Sequence, residues 1–327
     1  AFASAGTAAW QISSLRDVAR GELPADCDPQ TRQGWALGSV VSLQAWHPRA
    51  AVAQSALDAA FTELEQIEQL MSIYRSNSHI GRLNRDGVLL NPHPFLTEVL
   101  RISLHISSLT DGAFDVTIQP LWALFTAARR MNRLPTTQEV DTARSHVNWQ
   151  NISVEDGKIT LARGTQISLN GIAQGFAADR VRETLVAHGV RHALIDTGEI
   201  HTLGISPSRN DDWTVAIQHP RAPQSYLSMA KLAGRCLTTS GDYATTFTDD
   251  YVHHHLFDPR TGYSPQGFAS VSIAADSATW ADALSTAVYV LGPTRCHAFL
   301  QQFPHIDALL VTKNGEQFMT PGFPVAS

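Results

Sequence analysis

The stretch that most constrains this fold is "PRAAVAQSALDAAFTELEQIEQLM", residues 48–71. Val52, Leu57, Ala60, Phe61, Leu64, Ile67, Leu70 and Met71 recur at spacings of three and four, which aligns them along one face of a helix. Such a helix persists in water only when its apolar stripe is covered, so the rest of the chain must supply a broad apolar surface. Further helices are expected over residues 95–109, after Pro92 and Pro94, over 172–188, and over 281–291, where Gly292-Pro293 closes the pattern.

The covering surface is expected from short β-like runs. "WALGSVVSLQAW" alternates as a strand does, and "NISVEDGKITLA" reads as a hairpin around Asp-Gly. "HALIDTG", "WTVAIQH", "ASVSIAA" and "IDALLVT" have strand composition. Helices and strands do not alternate in the rhythm of a parallel sheet, so the class expected is α+β, arranged as two lobes. "GELPADCDPQTRQG", residues 21–34, is rich in Gly, Pro and Asp. It completes an irregular N-terminal segment, 1–34, ahead of one folded domain, 35–327.

Composition narrows the function classes. With 24 Lys plus Arg against 30 Asp plus Glu, the formal charge is −6, which argues against non-specific attraction to nucleic acid or an anionic membrane surface. No apolar run approaches the ~20 residues of a membrane helix, so an integral membrane protein is not expected. Cys27, Cys236 and Cys296 are too few and scattered for a zinc motif or a disulfide framework, and at most one bridge could form. The opening "AFASAGTAAW" is small and uncharged, like the stretch around a signal-peptide cleavage site, and leads to the expectation of a periplasmic protein.

Two segments carry candidate chemistry. "YVHHHLFDPRTGYSP", residues 251–265, sets three histidines ahead of a turn. In an extended strand His253 and His255 would face one way and His254 the other, so a His-x-His zinc grip is one reading. No third ligand stands at recognisable spacing, and a catalytic base beside a ligand-binding turn is the other reading, since imidazole titrates near neutrality. In "ADALSTA", Asp282, Ser285 and Thr286 share one helical face. A carboxylate, a hydroxyl and a carbonyl freed near a helix end suit a hard cation. Spacing alone leaves open that Asp282 is a first-turn acid and Thr286 a packed surface residue.

Five stretches in fixed order resemble the ApbE family, the FAD:protein FMN transferases. They are "MSIYRSNSHIGRLN", "DGAFDVTIQPL", "SLNGIAQGFAADRV", "TTSGDY", and "HHLFDPRTGYSP" followed by "ADALSTA"; "DTGEIHTLG" is a weaker echo. The resemblance implies Mg²⁺-dependent transfer of the FMN half of FAD to a threonine of a target protein, with AMP leaving and the flavin and metal site between the lobes. The implied acceptor is a membrane-associated or exported electron-transfer protein. By resemblance, Asp282, the carbonyl of Ser285 and Thr286 hold Mg²⁺, with a carbonyl at Ala173. His254 and His255 fall on the family's His-His pair, with His254 expected beside the flavin as a cofactor-binding residue, His255 the base and His253 an additional, structural residue. Arg260 and Thr261 would reach phosphate oxygens, Gly262 taking positive φ; an arginine left in solvent is the alternative. Tyr74 would stack on the isoalloxazine, Ala113, Phe114 and Asp115 would enclose the flavin, and Leu37 would border it.

Some positions depart from the family pattern. Where relatives read Asp-Leu-Gly-Gly-Ile-Ala-Lys-Gly this chain has "SLNGIAQG", so Ser168, Asn170 and Gln174 replace an acid, a glycine and a charged residue. Thr197 stands where relatives have glycine. These changes bear on how FAD is bound and fit a specialised branch, for example one serving the electron donors of nitrous-oxide reductase. Hydrolysis of FAD to FMN and AMP, or flavin binding without catalysis, are the alternative functions.

Overall fold

The computed structural model describes residues 27–326, so the small uncharged opening lies outside the described residues. The described chain enters through β1 (Gln30–Ala36) and β2 (Ser39–Trp46). β1 therefore begins inside the segment expected to be irregular, and "WALGSVVSLQAW" spans a hairpin, not one strand. Leu37 and Gly38 form the turn with φ of 53° and 79°, and Ala36 pairs with Ser39 across it. Positive φ at both central residues matches the twist of paired strands. Leucine is an unusual residue there, which is why the alternation reads straight through the turn.

The long helix is α1 (Ala50–Met71), close to its expected bounds. Next come α2 (His79–Asp86), β3 (Val88–Leu90), α3 (Pro94–Leu109), α4 (Gln119–Arg130) and α5 (Thr137–Arg144). The Asp-Gly hairpin forms as β4 (Ile152–Glu155) and β5 (Lys158–Leu161), and α6 (Ala173–Ala187) follows. The remaining strands are β6 (His192–Asp196), β7 (Ile200–Leu203), β8 (Trp213–His219), β9 (Ala222–Leu232), β10 (Cys236–Gly241) and β11 (Phe268–Ala275). The chain finishes with α7 (Ala278–Leu300), β12 (Asp307–Thr312) and β13 (Gln317–Met319). The class is α+β, as expected.

One eight-stranded sheet, in the order β1-β2-β6-β7-β10-β11-β12-β13, organises the molecule. Every pairing in it is antiparallel. Val41, Leu43 and Ala45 of β2, Val271 and Ile273 of β11 and Leu310 of β12 turn to one face, where they join the buried stripes of α1, α6 and α7 in a single core. This answers the demand set by α1: its apolar face is covered by the sheet and by α6. On the other face Trp46, Leu237, Ala274 and Leu309 meet Trp213, Val215 and Ile217 of the β8–β9 hairpin. The period of two in these strands thus serves two cores at once.

Helix α7 carries the break that the sequence signals. Gly292 has φ 73° and ψ 176°, and helix resumes from Pro293, which suits a first helical position. The helix therefore runs past the expected stop at 291. Ser285 lies in the middle of the helical piece that Gly292 ends, not within the last turn whose carbonyls are left free. The three cysteines are free thiols. Among the described residues no helix is long and apolar enough to cross a membrane.

Candidate active site

A cavity of about 660 Å³ opens where the β1–β2 turn, the loop after α1, the 113–118 segment, the start of α6, the end of β10 and the first turns of α7 converge. Leu37, Tyr74, Ala113, Phe114, Asp115, Ser168, Ala173, Gln174, His255, Asp282 and Thr286 all line it. Residues separated by as much as the whole domain are brought to one wall.

Asp282 is buried, and its Oδ2 accepts the Gly175 N–H at 3.0 Å, close to the start of α6. An anion there is favoured by the unpaired amides of a helix N-terminus. Burial nevertheless pushes the Asp282 carboxyl up to about 7. Glu199, in the bend between β6 and β7, lines the same cavity. Its Oε2 accepts the Thr239 N–H at 3.1 Å. Burial, and then the charge of Asp282, raise it well above the usual carboxylate range. Two buried carboxylates that each disfavour ionisation of the other make a wall suited to a cation. Glu199 was not anticipated; only the weak "DTGEIHTLG" echo pointed near it.

Neighbouring hydroxyls fix the α7 side of this wall. Ser240 Oγ lies 2.7 Å from Ser285 Oγ and 3.1 Å from Thr286 Oγ1. Ser285 Oγ also donates to the Asp282 carbonyl at 2.8 Å. The Ser285 side chain is buried beneath the wall and is absent from the cavity lining. Among the described residues no three His, Cys, Asp or Glu side chains group as a metal cluster. The carboxylates of Asp282 and Glu199 with the Thr286 hydroxyl are instead a donor set that suits Mg²⁺ when substrate phosphates complete its shell. The residues present fit that ion.

The three histidines part company. His255 lines the cavity, and its ring Nδ1 sits 3.3 Å from the Thr245 carbonyl. A proton on Nδ1 shared with that carbonyl leaves Nε2 as the lone-pair nitrogen. Burial lowers the ring's pKa to about 4, against opposing pulls from the Thr245 carbonyl and Asp242, so the ring is neutral at neutral pH. His254, expected beside the flavin, is fully buried instead. Its Nε2 lies 3.3 Å from the Pro265 carbonyl and 3.4 Å from the Tyr289 hydroxyl. His253 packs near Phe125 and Tyr263, with ring centroids 6.0 and 6.3 Å away. The segment is a bent loop, joined to Thr246 by an isolated bridge at His254, and not an extended strand.

Arg260 and Thr261 are likewise not at the cavity. Arg260 donates from Nε and NH2 to both oxygens of Asp258, at 2.9 and 2.8 Å, with its side chain 47% exposed. Thr261 closes the same turn on the Asp258 carbonyl, and Gly262 takes φ 77° as expected. The Asp258 carboxylate two residues upstream captures the arginine before it can reach inward.

On the flavin side, Tyr74 is 74% exposed at the rim, free to lie against a flat ring. Asp115 is not free: Oδ1 accepts from the Thr117 N–H at 2.8 Å and hydroxyl at 2.6 Å, and Oδ2 from the Trp149 N–H at 3.0 Å. Phe114 lines the cavity while belonging to the main core. Two of the departing residues are joined: Thr197 Oγ1 donates to the Gln174 carbonyl at 3.1 Å, and Gln174 Nε2 to Ser39 Oγ at 3.2 Å. They tie the β1–β2 hairpin to α6. Ser168 Oγ accepts the Asn170 N–H at 3.3 Å.

The sequence and the fold have counterparts among known proteins. The chain is 29% identical over 299 residues to the FAD:protein FMN transferase of Treponema pallidum, covering 84% of this chain and 82% of that one. It is 27% identical over 273 residues to the Escherichia coli K12 protein of the same name, covering 79% and 77%. The crystal structure of the ApbE protein of Thermotoga maritima superposes with a TM-score of 0.82 at 26% identity, covering 90% of this chain and 97% of that one. The Pseudomonas stutzeri flavinyl transferase ApbE does so at 0.78 and 28%, covering 90% and 95%. The ApbE family model matches residues 37–310. With that match spanning most of its length, the chain belongs to the ApbE family.

Proposed function

We propose that this protein transfers FMN from FAD to a threonine hydroxyl of a target protein, with Mg²⁺ as cofactor and AMP as leaving group. The observation that carries this reading is that His255, Asp282, Thr286, Tyr74 and the 113–116 segment line one cavity. A base, an oxygen-rich cation wall and a slot for a flat ring are what phosphoryl transfer from a flavin dinucleotide requires.

In the proposed reaction the threonine oxygen attacks the phosphorus on the FMN side of the pyrophosphate. A new phosphoester bond forms, the bond to the AMP oxygen breaks, and the threonine proton passes to Nε2 of His255. Burial keeps His255 neutral, hence able to accept, and the Thr245 carbonyl fixes which nitrogen does so. Negative charge brought by the pyrophosphate raises the ring's basicity at the moment it is needed. Asp282 and Thr286 would hold Mg²⁺, with Glu199 as a second carboxylate in the wall. When bound, that ion offsets the charge that develops on the pyrophosphate oxygens.

AMP release distinguishes the alternatives. The purified protein, FAD and Mg²⁺ are incubated with and without a candidate electron-transfer acceptor, and AMP is quantified by chromatography. Transfer predicts AMP that appears in step with acceptor. AMP at the same rate without acceptor would instead identify a hydrolase, and FAD returned intact would identify a flavin carrier.

A further inference from the structure

Asp242 follows the last residue of β10 and is fully buried, yet it is absent from the cavity wall. Arg221, in the β8–β9 turn, donates from NH1 and NH2 to its two oxygens, each at 2.7 Å. Lys313, just after β12, brings Nζ to 3.6 Å from Oδ2. Such a bidentate pair in a buried setting is costly to leave half-made.

The same two cations touch a second point. The Arg221 guanidinium lies 4.2 Å above the Tyr251 ring, and Lys313 Nζ donates to the Tyr251 carbonyl at 2.5 Å. Tyr251 has φ 60°, a conformation a bulky residue holds only when its surroundings impose it. Between Asp242 and Tyr251 the chain leaves the sheet and then turns back. The Phe247 N–H donates to the His253 carbonyl at 2.7 Å and the His255 N–H to the Thr245 carbonyl at 3.0 Å. The loop that presents His255 is thus gripped at its root and at its tip by one arginine and one lysine from two different hairpins.

We propose that Arg221 and Lys313 are positioning residues for His255, acting through Asp242 and Tyr251 to hold the loop that aims its ring into the cavity. The proposal rests on the transfer reading for the role of His255. Neither cation lines the cavity, so neither is available to bind FAD directly. Their second effect is electrostatic. Asp242 favours the protonated form of His255, and its ion pair with Arg221 damps that influence. Other charges and titratable groups around the pair are Tyr243 beside Asp242, Tyr289 of α7, His254 on the same loop, and Glu199 and Asp282 across the cavity. Arg221 pulls the Tyr243 and Tyr289 hydroxyls down against burial, so its loss raises both further and leaves them uncharged near neutral pH.

The test compares wild type with Arg221→Met, Lys313→Gln and the double variant Arg221→Met/Asp242→Asn, using pH profiles of FMN transfer and NMR titration of the histidine rings. Arg221→Met is expected to lower kcat by ten-fold or more with KM for FAD unchanged. The acid limb of the profile and the His255 titration should move to higher pH by about one unit. The double variant, which removes the carboxylate as well, should return both toward wild type. Lys313→Gln retains the bidentate pair and should lower kcat with a smaller pH displacement, which keeps the idea testable if Arg221→Met folds poorly. An unchanged acid limb and His255 titration in Arg221→Met, or a KM effect in place of a kcat effect, would overturn the proposal. The NMR arm needs no turnover, so a wild type that neither transfers FMN nor cleaves FAD would defeat the functional reading separately.

Discussion

Gly175 and Asp282 meet so closely that no side chain fits between them: a Cβ on Gly175 would lie 2.7 Å from the Asp282 Cβ and 2.1 Å from the Ala278 carbonyl oxygen. That approach lets the amide of one helix hold the carboxylate of another, and it sets the spacing of α6 and α7 at the cavity wall. Gly175→Ala should therefore destabilise the protein by at least about 2 kcal/mol, since packed backbone cannot yield cheaply. Thermal unfolding should show a midpoint lower by several degrees. An unchanged midpoint would mean the helices have room that the structure denies.

Asp282 gives a pH signature. Its carboxyl rises from an ordinary 3.8 to about 7 in the metal-free fold, so the folded state binds the proton more tightly than the unfolded state does. Stability from this group is present at low pH and is lost as pH rises between those two values. The buried histidines His254 and His255, with lowered pKa, act in the opposite sense below about pH 6.5. They do so in wild type and variant alike. The midpoint of metal-free Asp282→Asn relative to wild type should thus climb from pH 4 to pH 8, and added Mg²⁺ should stabilise wild type more than the variant. A difference that stays flat across that range would remove Asp282 from the cation wall.

The histidine loop separates a base from its neighbours. His255→Ala should lower transfer by roughly 10²–10⁴-fold, the range for a positioned general base. His253→Ala, which removes a ring packed near Phe125 and Tyr263, should retain most activity. Initial rates at saturating FAD decide it. Comparable losses at both positions would contradict the assignment.

Tyr74 offers a test of the flavin slot that leaves folding untouched. At 74% exposure it contributes little to stability, whereas stacking on a flavin is worth about 0.5–1.5 kcal/mol. Tyr74→Ala should weaken FAD binding by a few-fold to about ten-fold with an unchanged melting midpoint, as read by quenching of FAD fluorescence. Full retention of affinity would place the ring elsewhere in the cavity.

How much of this was legible in the sequence depended on whether the signal was local. The stripe of α1 follows from period and the β11 and β12 runs from strand composition, and all three elements appear within a few residues of their expected bounds. Asp282 and Thr286 could be paired because a helix fixes four-residue spacing. Glu199 could not, because its meeting with Asp282 is made by the sheet and not by nearness in the chain. His254 falls on the family's His-His pair, which carries no packing information; its ring lies against the Pro265 carbonyl and the Tyr289 hydroxyl, away from the cavity lining. Arg260 illustrates a signal present but outweighed: Asp258, two residues away, is positioned to take both of its donors. Leu37 in a positive-φ turn breaks the local rule for hairpins, and it does so at the cavity wall.

In the proposed reaction the cavity moves FMN onto another protein. The intact mass of a candidate acceptor, measured after incubation with this protein, FAD and Mg²⁺, tests it most directly. A gain equal to one FMN phosphoester per acceptor is expected. The gain should be lost when the labelled threonine is replaced by valine and greatly slowed when His255 is replaced by alanine. An acceptor of unchanged mass, in a reaction where FAD is nonetheless split to FMN and AMP, would contradict it.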